Sequence, residues 1–260
     1  MALLRQLYYD ADWYAKGNVP TKDRSIEAFN QNKNQIQIIE AGSRANALRA
    51  DTVGDQFGVQ YVILGGGDEY ERINDIKNTQ ASFILPLNFP KAYDVENTFL
   101  TNSLELEAMK EWNQRPGNPM AFEANDVPFA FTTKGLKSMK DFKANLKKAI
   151  DYGLDKVTAL EALTTQPAQI LGNSKLGNLN VGSYANFLIT SGDLFDDKTT
   201  LYENWVNGSR TVFEDISKKD IRGNYSFKIN NENYALKIKG TLSKLKTEIT
   251  SDSLKLSSSL

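Results

Sequence analysis

The feature that most constrains this chain is a rhythm: a short apolar run followed by a helical stretch, four times over residues 36–152. Ile36-Gln37-Ile38-Ile39 leads past Ala41-Gly42-Ser43, with Ser43 as an N-cap, into a helix ending at Phe57-Gly58. Val59-Gln60-Tyr61-Val62-Ile63-Leu64 leads through Gly65-Gly66-Gly67 into a helix from about Asp68 to Lys77. The third run is Ala81–Leu87, with a long loop and a helix around Leu100–Trp112 behind it. Val127-Pro128-Phe129-Ala130-Phe131 is the fourth, followed by Thr132-Thr133-Lys134-Gly135 and a helix over Ser138–Tyr152. Strand alternating with helix is the pattern of parallel βαβ units. Three of the four runs are apolar almost throughout, as when both faces of a sheet are covered. Such units build either an open doubly wound sheet or a closed barrel, and the pattern alone does not separate the two. Ahead of them, residues 1–16 and about 23–33 read as helices parted by Gly17-Asn18-Val19-Pro20.

The character changes after Gly153. Thr158–Thr164 and Pro167–Leu171 read as two short helices, and beyond Gly172 the chain is turns and strands. Asn207-Gly208 between Trp205-Val206 and Ser209–Phe213 is a type I′ hairpin signal. From Gly223 the alternation of Tyr225, Phe227 and Ile229, then Tyr234, Leu236 and Ile238, predicts two strands joined by Asn230-Asn231-Glu232-Asn233. The polar tail from Thr241, ending Ser257-Ser258-Ser259-Leu260, reads as a strand-rich segment that stops partway.

Composition narrows the chemistry. The chain has 31 basic and 32 acidic residues, and this balance carries no concentrated basic footprint for nucleic acid. No apolar run approaches the roughly 20 residues needed to span a bilayer, and Met1–Leu7 reads directly into an amphipathic helix rather than a signal peptide. The compartment is left open. There is no cysteine and no histidine. Disulfides, thiolate nucleophiles, Ser-His-Asp chemistry and histidine metal sites are therefore excluded within these 260 residues.

The remaining candidates are weak against plainer explanations. Gly65-Gly66-Gly67 could cradle a phosphate, but it lacks a P-loop lysine, and the Asp68-Glu69 that follows suits a helix N-terminus and repels an anion. It reads as a tight strand-to-helix turn. Asp68, Glu69 and Glu71 could join Glu40 as a carboxylate metal site or acid/base pair; the expectation is a first helical turn of carboxylates exposed to water. Asp10 and Asp12 point to different sides of a helix. Trp13, Tyr14, Trp112 and Phe122 are expected as core rather than as a ligand platform. Lys140, Lys143, Lys147 and Lys148 lie largely away from the Met139, Phe142, Leu146 and Ile150 face and are expected to be solvated.

Residues 153–213 resemble the C-terminal end of the amidohydrolase superfamily, especially its imidazolonepropionase-like and dihydroorotase-like members. The resemblance rests on three pieces: Ala159–Gly172, a helix closing on Pro167-Ala168-Gln169-Ile170-Leu171-Gly172; Leu176-Gly177 through Ala185-Asn186; and Trp205-Val206-Asn207-Gly208. The family's Ala-Asp step stands here as Ala185-Asn186. The resemblance implies an α/β fold: a partial (β/α)8 TIM-type barrel, about its last four βα units, followed by a small β-rich domain. It divides the chain into 1–172 (barrel half), 173–215 (small β domain) and 220–260 (a strand-rich, truncated segment).

In that family strands five and six each present a histidine to a catalytic metal, zinc in active members, and strand eight ends in an aspartate that binds metal and accepts a proton. The resemblance places Glu40 at the first of these positions, a glycine (Gly65 or Gly66) at the second, and Lys134 in place of the aspartate. The His-x-His pair of strand one falls outside the chain. A carboxylate, a glycine and an ammonium do not make a site with about three protein ligands and an open position. No cofactor is therefore expected here. The opposite charges suggest that Glu40 and Lys134 pair across the barrel mouth. The expectation is a non-catalytic, scaffolding region whose partner is the missing N-terminal half or an active amidohydrolase domain. The alternatives are a fragment of an active metal-dependent amidohydrolase and a peptide- or sugar-binding module. Four strands alone should leave an open sheet edge and unburied apolar helix faces, and so favour aggregation.

Overall fold

Four parallel strands stand side by side in chain order: β1 (Gln37–Glu40), β2 (Tyr61–Leu64), β3 (Phe83–Pro86) and β4 (Phe129–Thr132). They form the sheet of the computed structural model, which describes every residue except 18–20, 218–219, 231, 242–243, 252–254 and 260. The chain divides into two units, Met1–Ser183 and Tyr184–Leu260.

In the first unit, α1 (Ala2–Ala15) and α2 (Arg24–Asn32) precede the sheet. The Asp23 carboxylate caps α2 by accepting from the backbone N–H groups of Ser25 and Ile26. Gly17 follows α1, while the rest of the expected breaker, residues 18–20, lies outside the described residues. Tyr8 of α1 stacks on Phe57 and shares a hydrogen bond of 2.7 Å with Tyr61, so α1 is seated on α3 (Arg44–Phe57) and β2. Ser43 caps α3 as expected, accepting from the Asn46 N–H.

The inner strands supply the core: Ile63, Phe83 and Leu85 are fully buried. β1 pairs only with β2 among the described residues, and Ile38 on it and Ile36 just before it are exposed. That is the open edge expected of a partial parallel sheet.

Two helical expectations need correction. The stretch Asp68–Lys77 is a 3-10 turn over Glu69–Arg72 followed by α4 (Ile73–Asn78), because the Glu69 side chain folds back onto the glycine turn and tightens the helix start. The helix around Leu100–Trp112 is two, α5 (Thr98–Asn102) and α6 (Leu106–Gln114), with Asn102-Ser103 at the break, residue types that favour turns over helix interiors. A further helix, α7 (Asn118–Glu123), was not foreseen; it carries Phe122 edge-on to Phe83 (5.1 Å) and Phe129 (5.8 Å). α8 (Met139–Asp151), α9 (Lys156–Glu161) and α10 (Thr165–Ile170) lie where the sequence pattern puts them.

The second unit is antiparallel. β5 (Phe187–Thr190), β6 (Leu201–Val206) and β7 (Ser209–Val212) form one sheet, with Asn207 and Gly208 at φ 48° and 78°, the left-handed pair a type I′ turn requires. β8 (Gly223–Ile229), β9 (Glu232–Thr241), β10 (Lys244–Thr250) and β11 (Lys255–Ser259) form the other. Its register sets Tyr225 opposite Leu236 and Phe227 opposite Tyr234, as the alternation foretold. Residue 231 of the intervening turn lies outside the described residues.

Candidate functional site

Parallel βα units gather the side chains beyond the strand C-termini at one end of the sheet, where such folds keep their chemistry. Glu40 is the last residue of β1, and Lys134 lies two residues beyond β4, so the ends of the two outer strands carry opposite charges. The Lys134 ammonium and the Glu40 carboxylate form an ion pair, with side chains 47% and 61% exposed. The pairing expected from the opposite charges is thus present.

The end of β2 is built differently. The Glu69 carboxylate, fully buried, turns inward and accepts from the N–H of Gly66 (2.6 Å), the N–H of Gly67 (3.0 Å) and the Asn118 side-chain amide (2.9 Å). Asn118 in turn accepts from the Tyr70 N–H at 2.8 Å, which fixes the orientation of its amide. The Arg115 guanidinium donates to the Gly66 carbonyl and, at 2.6 Å, to Glu111. Burial pushes the Glu69 carboxyl above the usual carboxylate range, while the Gly66 N–H and the Asn118 amide draw it back.

The expectation that Glu69 is a water-exposed carboxylate is therefore overturned. Its neighbours differ from it: Arg44, at the start of α3, donates to Asp68 (2.7 Å) and pairs with Glu71 (2.6 Å). The phosphate reading of the glycine run is displaced for the same reason, since Glu69 holds the N–H groups an anion would need. Glu40 pairs with Lys134, Asp68 and Glu71 share Arg44, and Glu69 is held by Gly66, Gly67 and Asn118; no group of three or more His, Cys, Asp or Glu that could hold a metal occurs among the described residues. Gly66 is not brought into the Glu40–Lys134 pair; its polar atoms go to Glu69 and Arg115. A donor set of one ammonium-paired carboxylate and a glycine does not fit zinc.

The other candidates separate. Asp10 accepts from Gln6 and Asp12 pairs with Lys33, as on an ordinary helix surface. Phe122 is core, Trp13 is exposed and Tyr14 bonds Glu27, so the four aromatics form no platform. Lys140, Lys143 and Lys147 are solvated. Lys148 departs from them: its ammonium lies 5.7 Å from the Trp112 ring, 5.8 Å from Tyr152 and 6.0 Å from Phe89. Asn118 and Arg115 escaped the sequence reading, although Asn118-Pro119 is a helix-start signal.

Residues 108–222 match the family model described as the amidohydrolase family. Residues 108–222 are thus an amidohydrolase-family region. Among solved structures, an amidohydrolase from Thermotoga maritima MSB8 is similar with a TM-score of 0.65 at 19% identity, over 82% of this chain and 55% of that one. A second amidohydrolase has a TM-score of 0.52 at 18% identity, over 74% and 48%. A prolidase complexed with N-methylphosphonate-L-proline has a TM-score of 0.52 at 17% identity, over 74% and 48%. The chain thus spans about half the length of these structures, and the likeness gives it a TIM-barrel-type fold. No curated protein matches the sequence. No helix among the described residues is long and apolar enough to cross a membrane.

Proposed function

We propose that this chain is a non-catalytic amidohydrolase-related region, a scaffold whose barrel mouth is closed by protein charges instead of metal. The reading takes 1–172 as a barrel half, 173–215 as the family's small β domain and 220–260 as a strand-rich segment. It takes Glu40, Gly66 and Lys134 as replacements of metal ligands. The observation that carries it is the Lys134–Glu40 ion pair, which sets a positive charge beside the carboxylate at the end of β1. An ammonium in that place competes with a divalent cation for the carboxylate and supplies no lone pair while protonated.

Metal analysis of the purified full-length protein tests the reading. The expected result is zinc well below one equivalent and no turnover of amide substrates. Stoichiometric zinc together with amide hydrolysis overturns it. A second reading is favoured by the share of its relatives that the chain covers, 55% and 48%. On that reading another amidohydrolase region, the N-terminal barrel half or an active domain, holds the metal and this chain completes its fold.

A further inference from the structure

We infer that the end of β2 is a refilled position rather than a vacated one: Glu69 and the Gly42 carbonyl occupy the space that a side chain at 65 or 66 needs, and the surrounding bonds cross-link the mouth without metal. The inference rests on the non-catalytic reading only for treating position 66 as a former ligand position.

Three glycines show the refilling. A β-carbon on Gly65 would lie 2.5 Å from Glu69 Oε1 and 3.0 Å from its carboxyl carbon. One on Gly66 would overlap the Gly42 carbonyl oxygen and lie 2.8 Å from the Ser43 backbone nitrogen. One on Gly67, at φ 94°, would lie 2.8 Å from Arg115 Nε. A histidine at 66 therefore has no room unless the β1–α3 loop moves. The obstacles also differ in kind: a side chain blocks position 65, and backbone blocks position 66.

The same groups tie three parts of the chain together. Arg44, following β1, holds Asp68 and Glu71 of the β2 loop. Glu69 holds Asn118 at the start of α7, and Arg115 holds the Gly66 carbonyl. Here a buried carboxylate, an amide and two guanidinium groups tie the loops after β1 and β2 to the start of α7.

A thermal-stability cycle on the full chain tests this. G65A should lower Tm by roughly 3–10 °C, the range for overpacking a filled site. In an E69A background, where the obstructing carboxylate is gone, the same substitution should cost less than about 2 °C. G66A should cost the same in both backgrounds, because its obstacle is the Gly42 backbone. E69D, with a carboxylate one methylene shorter, replaces E69A should that variant fail to fold. Wild-type stability in G65A and G66A, or an equal cost of G65A in both backgrounds, overturns the inference. Zinc binding by the parent chain would instead overturn the non-catalytic reading and leave this cycle unchanged.

Discussion

Although the Glu40–Lys134 pair marks the mouth, its energetic weight should be small, and a double-mutant cycle measures it. The perturbations are E40Q, K134M and the double variant. Glu40 is 61% exposed and Lys134 47%, so both charges sit largely in water before and after pairing. Exposed pairs of this kind contribute about 0.2–1 kcal/mol. Neither single variant strands a buried charge, so each should lose less than about 1 kcal/mol, and the coupling should fall within the same range. The screening length shortens from about 8 Å at physiological ionic strength to about 3 Å at 1 M, so the coupling should largely disappear in 1 M NaCl. Urea denaturation reads each corner of the cycle, with the slope checked for constancy. A coupling above about 2 kcal/mol that survives salt would refute the reasoning, because the pair would then be shielded and would itself hold the mouth.

Truncating the unforeseen aromatic anchor should be far more costly. F122A empties a fully buried site against Phe83 and Phe129 and should lose about 3–5 kcal/mol, read from the urea midpoint; a loss below about 1.5 kcal/mol would mean that α7 does not pack as described. Burial, with Asp55 nearby, pushes Asp51 from 3.8 up to about 6. A raised carboxyl favours the fold on the acid side of 3.8, and that contribution is lost as pH rises through about 6. D51N should therefore raise Tm at pH 8 but not at pH 3, with the gain reduced by solvent screening; equal Tm changes at both pH values would count against the assignment. Adding EDTA should leave the thermal transition of the parent chain in place, since no metal is expected to hold it; a marked fall in Tm would identify a bound cation.

The four-unit parallel pattern, the Ser43 cap, the Asn207-Gly208 hairpin and the opposite charges of Glu40 and Lys134 were all legible in the sequence. The first three depend on neighbours a few residues apart; the charges were paired through the family resemblance, which sets both residues at strand ends. The direction of Glu69 was not legible. As a string, Asp68-Glu69-Tyr70-Glu71 is a polite acidic helix start, and a water-exposed turn is the least costly guess. Whether a carboxylate there turns inward depends on donors it meets only after folding, including Asn118, 49 residues away. The placement of Lys148 among three rings likewise follows from packing rather than from local pattern. The sequence by itself determined the parallel βα repeat and the absence of histidine and cysteine chemistry. Only the tertiary structure decided what fills the end of β2, because a buried carboxylate is tolerable only where distant groups arrive to satisfy it.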